Sequence, residues 1–567
     1  MANIGEYFQQ HISAPDKALY RHFDGGEWRD INVGEIAALV GRWQAALAAL
    51  GFIAGDRVAI CLKNGIDWVA LDLAALGLGL VVVPLYVDDN ADNIAWCVAN
   101  AEARLLVVES TKLASALERT GSVLPPFYVL RPDAGDPDAG DPDATVASLL
   151  PAAAAAPQFR SLPEKALATI CYTSGTSGRP KGVMLSHGNI IANVLSCQET
   201  RMARSTDLFL SILPLSHMFE RTGGYYLPLS IGAKVVYARS TAQLAEDLAA
   251  QAPTVMFAVP RIFEKFYARV DESLAKAPAK RWLFRQCVAR GWRVESKSAG
   301  WLDALATPLL RAIVAKPVLA RLGGKMRLTV VGGAALDPEI AHTFIGLGLP
   351  LLQGYGMTEA SPVISVNRVG DNDPESVGPP LPGVEVKLGE AAELLARGGN
   401  VMLGYWHNEE ATRAAIDKDG WLHTGDVAEI SDTKIYIRGR IKDILVMSNG
   451  EKLPPQDVEF AVLHDPVFEQ VMLVGEGRPF LTLLAVTRER DEKALVARAN
   501  ERLKAFPRWV RIRRVVATPE AWSIDNGLLT PTLKLKRPLV LARFKDRVDA
   551  VYSADAAGSA QTRQASS

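Results

Sequence analysis

Short runs of β-branched and other apolar residues alternate along this chain with segments in which apolar residues recur every three or four positions. The strand candidates read RVAICL, VVVPLYV, ARLLVVES, ATICYTS, KVVYAR, TVMFAVP and RLTVVGG. Stretches such as STAQLAEDLAAQA, residues 240–252, show helical spacing between them. Because strands that alternate with helices pair mostly in parallel, the pattern predicts an α/β fold whose mostly parallel sheets carry flanking helices.

One apolar stretch, LAALGLGLVVVPLYV at residues 73–87, imitates a membrane span. It is 15 residues long, whereas a spanning helix needs about 20. Two glycines divide it, and its second half is rich in valine. We therefore expect a helix, a glycine turn and a strand that is buried on both faces of a parallel sheet.

The length of 567 residues predicts more than one domain. Residues 131–144, RPDAGDPDAGDPDA, are predicted to form a solvated surface loop. Charged residues become dense after about residue 437, and ERDEKALVARANERLKAF at 489–506 has the pattern of an amphipathic helix. We predict a large N-terminal domain at 1–438, a smaller α+β C-terminal domain at 439–552 and a disordered tail at 553–567.

The net charge and the cysteine content of the chain argue against several classes of protein. A net charge of −1 provides no global attraction to nucleic acid. Five scattered cysteines without CxxC spacing argue against a disulfide framework or a zinc site and suit a reducing cytosol. No signal peptide or lipidation motif is visible, so we expect a cytoplasmic protein. Peripheral contact with a membrane through a surface patch, and the oligomeric state, stay open.

The stretch YTSGTSGRPKG at residues 172–182 combines glycines, hydroxyl side chains and one lysine. A strand pattern precedes it and a helix pattern follows, with Ser186 or Asn189 as the candidate N-cap. Such a loop suits phosphate contact, with a structural turn as the alternative. It is not a Walker A loop, because Lys181 is followed by glycine. The candidate phosphate-binding residues are Thr173, Ser174, Gly175, Thr176, Ser177, Gly178 and Lys181.

Further motifs follow this loop in a characteristic order. They are GGAAL (332–336), QGYGMTE (353–359), GWLHTGD (420–426), IRGRIKDILVMSNGEKLPPQDVE (437–459) and LLTPTLKLKR (528–537). Together they resemble the signature motifs of the adenylate-forming superfamily, which includes acyl-CoA synthetases, luciferases and peptide-synthetase adenylation domains. PLSHMFERTGGYYLPL, VPRIFEKFY and SNGEKLPP are similar to the long-chain fatty acyl-CoA synthetase branch in detail.

The resemblance implies an enzyme that joins a long-chain fatty acid to the α-phosphate of ATP and then to the thiol of coenzyme A. Acyl-AMP is the implied intermediate, and pyrophosphate and AMP are the implied leaving products. Mg²⁺ is the implied cofactor, with Glu359 as its ligand, because a hard cation prefers carboxylate oxygen. Thr358 is implied to hydrogen-bond the α-phosphate. Lys534 corresponds to the family's adenylation lysine, which bridges phosphate and the reacting carboxylate.

The resemblance also assigns the nucleoside contacts and a hinge. Tyr355 is expected to stack on adenine, and Asp426 and Arg440 to bind the ribose hydroxyls. His217 is expected near the acyl or thiol channel, with a buried core histidine as the alternative. Lys442 corresponds to the hinge about which the C-terminal lid domain turns between the two half-reactions. The opposite wall of the adenine site is assigned to Gly332, Gly333 and Ala334.

Other functions remain open at this stage. A fatty acyl-AMP ligase that loads an acyl carrier protein is the main alternative, although no extra segment stands out between about 360 and 440. A non-enzymatic relative and a peptide-synthetase module are disfavoured by the retained motif residues and by the absence of a following carrier pattern. The basic run RWVRIRR at 508–514 is predicted to be a solvated face, with a coenzyme A phosphate contact as the alternative.

Overall fold

The computed structural model describes residues 3–132, 144–173, 179–524, 526–530 and 534–553. The strands are β1 (Ala18–Asp24), β2 (Glu27–Asn32), β3 (Arg57–Cys61), β4 (Val81–Pro84), β5 (Leu105–Ser110), β6 (Phe127–Arg131), β7 (Leu167–Thr173), β8 (Lys181–Ser186), β9 (Leu208–Ser211), β10 (Lys234–Tyr237), β11 (Val255–Ala258), β12 (Leu328–Val331), β13 (Leu351–Gly356), β14 (Val363–Val366), β15 (Val384–Leu388), β16 (Glu393–Gly398), β17 (Gly404–Tyr405), β18 (Leu422–Ser431), β19 (Lys434–Arg440), β20 (Leu445–Val446), β21 (Lys452–Leu453), β22 (Gln470–Val474), β23 (Leu481–Val486) and β24 (Ile512–Thr518).

The α-helices are α1 (Glu6–Gln9), α2 (Val33–Ala49), α3 (Ile66–Leu78), α4 (Ala91–Asn100), α5 (Thr111–Glu118), α6 (Val146–Leu149), α7 (His187–Glu199), α8 (Met218–Glu220), α9 (Leu227–Ile231), α10 (Leu244–Gln251), α11 (Pro260–Ala275), α12 (Pro278–Glu295), α13 (Trp301–Leu310), α14 (Lys316–Ala320), α15 (Pro338–Gly346), α16 (Glu409–Ala415), α17 (Pro455–Leu463), α18 (Glu492–Arg502) and α19 (Arg537–Arg543). Segments with π-helical bonding span Arg221–Tyr226 and Arg311–Ala315, and 3-10 turns span Thr358–Ala360 and Glu390–Ala392.

Two large sheets form the core of the N-terminal part. One runs in the order β14-β13-β12-β11-β9-β10-β1-β2 and the other in the order β17-β8-β7-β4-β3-β5-β6. In the first sheet the central strands pair in parallel, and β14 and β2 at its two edges pair antiparallel. In the second sheet β7, β4, β3, β5 and β6 pair in parallel, and only β8 and β17 at one edge pair antiparallel. An antiparallel sheet, β15-β16-β18-β19, adjoins them. This arrangement confirms the α/β architecture that the alternating pattern predicts.

The strand predictions are confirmed at every one of the seven runs, since each overlaps a strand of these two sheets. The apolar stretch 73–87 also forms as expected. It contains the end of α3, a turn at Gly79 with φ +78°, and β4, whose four residues are all buried. No helix among the described residues is both long and apolar enough to cross a membrane.

The expectation that the glycine-rich loop leads directly into a helix is wrong. Strand β8 intervenes, and it pairs antiparallel with β7, so that the loop joins two strands of a hairpin. Helix α7 begins only after β8, where Ser186 and Asn189 form a reciprocal capping box. Residues 182–186, GVMLS, are mostly buried, and this burial holds them in the sheet. The predicted order of strand, loop and helix is thus corrected to strand, loop, strand and then helix.

A buried ion pair joins the two large sheets. Arg221 lies in the π-helical segment, which packs against β9 and β11, whereas Asp72 lies on α3, which packs against β3 and β4. The Arg221 guanidinium donates to the Asp72 carboxylate and, at 2.9 Å, to the hydroxyl of Thr169. Tyr226 donates its hydroxyl to the second carboxylate oxygen at 3.0 Å. Both charged side chains are fully buried.

The C-terminal part has its own small core, in which α17 and α18 pack with the sheet β22-β23-β24. Helix α18 confirms the amphipathic prediction for residues 489–506. His464, which follows α17, contacts the N-terminal part: its Nε2 lies 2.8 Å from Oδ2 of Asp337, the N-cap of α15. The predicted domain boundary at 438/439 stays a prediction. The predicted surface loop at 131–144 and the predicted disordered tail at 553–567 fall almost entirely on residues 133–143 and 554–567, which lie outside the described residues.

Candidate active site

A cleft of about 580 Å³ lies where the N-terminal sheets meet the C-terminal part. Motifs that are far apart in the sequence contribute side chains or backbone to it. Among its lining residues are Thr173, Lys181, His217, Gly332, Gly333, Tyr355, Thr358, Glu359, Arg440, Lys442 and Lys534. Most of the predicted site residues that the structure describes therefore lie around a single cavity.

Asp426 lies beside this cleft and joins two other predicted residues. Oδ1 accepts a hydrogen bond from Nε of Arg440 at 3.1 Å, and the two residues are cross-strand partners of β18 and β19. Oδ2 accepts from the hydroxyl of Tyr355 at 2.5 Å. Burial raises the pKa of the Asp426 carboxyl, and the neighbouring Arg440 opposes that shift. The sequence motifs did not predict this contact between Tyr355 and Asp426.

Glu359 is buried at the floor of the cleft, in the turn that follows β13. Its Oε1 accepts a hydrogen bond from the hydroxyl of Tyr405 at 2.9 Å. Nζ of Lys181 lies 5.0 Å from the centre of the same tyrosine ring. Tyr405 thus connects the predicted metal ligand with the predicted phosphate-binding lysine, although none of the sequence motifs contains it.

The residues present fit a magnesium ion that is bound together with substrate. Among the described residues no group of three histidine, cysteine or carboxylate side chains forms a self-contained metal site. Mg²⁺ does not require one, because it is commonly held by one or two carboxylates together with substrate phosphates. Glu359 offers such a carboxylate, since Tyr405 occupies only one of its two oxygens.

Of the predicted phosphate-binding loop, the structure describes only the two ends. Thr173 and Lys181 are directly opposite each other across β7 and β8, and the Thr173 hydroxyl lies 3.5 Å from the Lys181 carbonyl oxygen. Lys181 is exposed to the cleft. Ser174, Gly175, Thr176, Ser177 and Gly178 lie outside the described residues.

The glycines after β12 allow a close approach of backbone to the cleft. A Cβ atom on Gly332 would come within 3.1 Å of the Phe219 ring and 3.4 Å of the Gly354 carbonyl oxygen. Gly333 has φ +82°, a conformation that favours glycine. Ala334 is exposed and is not part of the cleft lining formed by the described residues, so its predicted adenine contact stays a prediction.

His217 is the N-cap of α8, and its Nδ1 accepts from the backbone N–H of Phe219 at 3.1 Å. This bond assigns the proton of the neutral ring to Nε2. Burial, and then the positive charge of Lys534, lower the pKa of His217 to about 4. The imidazole is therefore neutral at physiological pH and can present a donor to the cleft.

Lys534 reaches the cleft from the C-terminal part of the chain. A pair of hydrogen bonds to Thr530 holds its backbone, with the Thr530 N–H donating to the Lys534 carbonyl at 2.8 Å. Taken as a whole residue, Lys534 is exposed to solvent. Its pKa nevertheless lies below the usual value, because the surrounding protein and the Arg440 guanidinium both disfavour the charge, while Asp426 and Glu359 favour it.

Lys442 lies in the turn that follows β19. The N–H groups of Asp443 and Ile444 both donate to the carbonyl oxygen of Arg440, at 3.0 and 3.1 Å. This turn connects the sheet β15-β16-β18-β19 to the C-terminal elements. Its position is compatible with a hinge, and the hinge role stays a prediction.

An apolar extension leads away from the polar part of the cleft. It follows β11 and β12, where alternate residues on one face of each strand line the cavity. The apolar lining includes Phe209, Val255, Phe257, Leu328 and Val330. From Leu328 to Gly332 the backbone advances four residues, or about 13 Å at the usual strand rise. The site can therefore accommodate a ligand with one charged end and a long hydrocarbon end.

Family comparisons agree with this geometry. The family described as AMP-binding enzyme matches residues 8–406, which is more than half of the chain. The chain belongs to this family. A second match, described as AMP-binding enzyme C-terminal domain, covers residues 442–556 and begins at Lys442. The resemblance inferred from the ordered motifs is thereby confirmed.

Similar proteins cover nearly the whole length of this AMP-binding enzyme. It is 30% identical to long-chain-fatty-acid–CoA ligase FadD15 of Mycobacterium bovis, over 96% of each chain. It is also 30% identical to the peroxisomal long chain acyl-CoA synthetase 7 of Arabidopsis thaliana, over 94% of this chain and 83% of the relative.

Solved structures share the fold. The A domain of carboxylic acid reductase from Segniliparus rugosus, in complex with AMP and a co-purified carboxylic acid, matches with a TM-score of 0.75 and 21% identity. That match covers 97% of this chain and 94% of the other. ATP-bound MatB from Rhodopseudomonas palustris matches with a TM-score of 0.73 and 22% identity, over 96% and 99% of the two chains. At these identities the likeness concerns the fold alone.

Proposed function

We propose that this AMP-binding enzyme is a long-chain fatty acid–CoA ligase that forms acyl-AMP from ATP and then transfers the acyl group to coenzyme A. The observation that carries the proposal is the meeting of Lys534, Glu359 and the Asp426–Arg440 pair around one cleft that continues into an apolar extension. The similarity to long-chain ligases over almost the full chain supports the substrate class.

In the first half-reaction a carboxylate oxygen of the fatty acid attacks the α-phosphorus of ATP, and pyrophosphate leaves. Negative charge accumulates as two anions meet, so positively charged groups in a partly desolvated site lower the barrier. Lys534 supplies such a charge from the C-terminal side of the cleft, and Lys181 supplies one from the N-terminal side. Thr358 lines the cleft next to Glu359 and donates to the α-phosphate.

Mg²⁺, bound to Glu359 and the substrate phosphates, would neutralise phosphate charge and favour departure of pyrophosphate. The chain's own residues orient the rest of the nucleotide. Tyr355 and Arg440 fix both carboxylate oxygens of Asp426, so that this carboxylate meets the ribose hydroxyls in one orientation. Gly332 and Gly333 bring backbone close to the bound base.

In the second half-reaction the sulfur of coenzyme A attacks the acyl carbonyl carbon, and AMP leaves. His217 is neutral, because its pKa is about 4, and its Nε2–H can donate a hydrogen bond to an acceptor in the cleft. Its Nδ1 lone pair is occupied by the Phe219 N–H. We therefore assign His217 a positioning role rather than that of the base that deprotonates the thiol. A turn of the C-terminal domain about Lys442 would withdraw Lys534 and admit the thiol.

The proposal is tested with the full-length protein, ATP, Mg²⁺ and one acid at a time. Octanoate, dodecanoate, hexadecanoate and benzoate are compared, and AMP, pyrophosphate and acyl-CoA are quantified by liquid chromatography and mass spectrometry. We expect hexadecanoate or dodecanoate to give the highest rate, with AMP and acyl-CoA in equal amounts. Preferred use of benzoate would contradict the assignment to long-chain acids.

The second candidate is a ligase that transfers the acyl group to an acyl carrier protein. One similar protein carries that description, the chloroplastic long-chain-fatty-acid–[acyl-carrier-protein] ligase AEE15 of Arabidopsis thaliana, which is 28% identical over 68% of this chain. Replacing coenzyme A by phosphopantetheinylated carrier protein in the same assay distinguishes the two. A cytoplasmic location and contact with a membrane surface are also part of the proposal.

A further inference from the structure

Helix α13 and the π-helical turn after it present apolar side chains to solvent and polar side chains to the protein. Asp303, Thr307 and Arg311 follow each other at four-residue spacing and face inward. Asp303 is buried and pairs with Arg293 at 2.7 Å, Thr307 is buried, and Arg311 reaches the Gly346 carbonyl at 3.3 Å. An ordinary surface helix has the opposite arrangement.

The outward face of this segment is apolar without interruption. Every exposed residue between 301 and 315 is apolar, namely Trp301, Leu302, Ala304, Leu305, Pro308, Leu309, Ala312 and Ile313. Trp301 is 76% exposed and Leu305 is 75% exposed. Trp282 on α12, which packs against α13, is also exposed. A contiguous apolar surface of this kind marks an interaction site. We call these residues the α13 face.

The chain segment that carries the α13 face is rich in basic residues. Residues 276–321 contain ten basic side chains and two acidic ones, in a chain whose overall net charge is −1. Both acidic side chains, Glu295 and Asp303, are paired with arginine. Six of the basic residues are exposed, and no carboxylate of the described residues forms an ion pair with them. They are Lys276, Lys280, Arg285, Lys297, Lys316 and Arg321.

We propose that the α13 face binds the surface of an anionic membrane. Apolar side chains with tryptophan on one helix face, together with lysine and arginine nearby, match the requirements of a helix that lies in the headgroup region. Tryptophan favours that region because its ring is apolar and its N–H is polar. A symmetric contact between two copies is disfavoured, because it would bring two strongly basic segments together.

Membrane binding through this face deepens the membrane contact that is part of the proposed function, but it does not depend on the proposed chemistry. The experiment measures partitioning of the full chain, without substrates, onto vesicles of phosphatidylcholine mixed with phosphatidylglycerol and onto vesicles of phosphatidylcholine alone. Failure to bind leaves the acyl-CoA assay unaffected, and an inactive enzyme can still bind, so the two proposals fail separately.

The test variant is Leu305→Gln combined with Leu309→Gln. We expect its partition coefficient on the mixed vesicles to fall at least about tenfold, because two inserted apolar side chains are lost. The matched control is Ile53→Gln combined with Val123→Gln, which changes residues that are 69% and 92% exposed elsewhere on the surface. The control should bind as the unchanged protein does, and thermal unfolding checks that each variant is folded.

A charge variant, Lys316→Glu combined with Arg321→Glu, separates the electrostatic contribution. We expect it to lose the preference for vesicles that contain phosphatidylglycerol. The proposal is overturned if the unchanged protein does not bind mixed vesicles, or if the leucine variant binds as well as the control. It is also overturned if sedimentation velocity shows a dimer that only the leucine variant dissociates, without vesicle binding, since the face would then be a contact between copies.

Discussion

The contact between His464 and Asp337 is expected to make the orientation of the C-terminal domain depend on pH. Both ring nitrogens of His464 face acceptors: Nδ1 lies 3.0 Å from the Phe460 carbonyl oxygen and Nε2 lies 2.8 Å from Asp337. Two donors are present only in the imidazolium form. The hydrogen bond to Asp337, with further attraction from Glu339, raises the pKa of His464 above its usual 6.5, although burial opposes this.

The size of the effect follows from the geometry. A full charge pair at this distance gives about 6 kcal/mol at an effective dielectric constant of 20. The His464 side chain is 33% exposed, and pairs in contact with solvent are measured at about 0–1 kcal/mol. We therefore expect about 1 kcal/mol, or about a fivefold change in the equilibrium between the orientation with Lys534 in the cleft and the other one. Because the pKa is raised, this contribution is complete below about pH 6.5 and is lost as the pH rises through the raised value.

The assay compares the two half-reactions between pH 6 and 9, with pyrophosphate release reporting adenylation and conversion of supplied acyl-AMP reporting thioester formation. In the unchanged protein this contact should change the ratio of the two rates about fivefold across the pH range. In His464→Gln that fivefold change should be absent. Asp337→Asn is the matched control for the partner, because asparagine still caps α15 but carries no charge. If the unchanged protein and His464→Gln have superimposable profiles, the contact does not bias the domain orientation.

Three further predictions concern the cleft. Glu359→Gln should lower adenylation steeply and recover in part at high magnesium, because the amide can still accept from Tyr405 but binds a hard cation poorly; an unchanged rate at limiting magnesium would remove this side chain from the metal site. Asp426→Ala should weaken ATP binding by about 1.5–3 kcal/mol and reduce discrimination against 2′-deoxy-ATP, as measured by calorimetry with both nucleotides. Equal use of ATP and 2′-deoxy-ATP by the unchanged enzyme would contradict the ribose contact. Lys534→Ala should lower the adenylation rate about 10²- to 10³-fold and yet convert supplied acyl-AMP at a near-normal rate. Lys442→Pro should show the opposite defect, forming acyl-AMP but little acyl-CoA. Separate assays of the two half-reactions show whether the two defects differ.

The strands and the family could be read from the sequence because both depend on local pattern. Runs such as VVVPLYV are apolar on both faces, and only a central parallel strand places them well. Strand β8 was missed because its first two residues belong to the glycine-rich stretch and its last, Ser186, is the helix cap, so that the segment looked like the end of the loop. Only pairing with β7 identifies them as a strand.

The contacts that organise the cleft could not be read in the same way. Tyr355 and Asp426 are 71 residues apart, and Tyr405 and Glu359 are 46 residues apart. Each motif indicates a role for its own residues, but which motifs touch is decided by the packing of different strands. The α13 face was missed for a related reason, since its leucines have the spacing of a buried helix face, and only the structure shows that no other element covers them among the described residues.

The buried pair of Asp72 and Arg221 has a consequence for how this sequence can change. Removing either partner would leave an uncompensated charge between the two large sheets, at a cost of about 3–5 kcal/mol, which is a large share of the stability of a typical domain. Replacing both at once by well-packed apolar residues can be close to neutral. The two positions, 149 residues apart, are thus expected to be epistatic: each single substitution is deleterious, and the viable route between the charged and the apolar core passes through a double mutant.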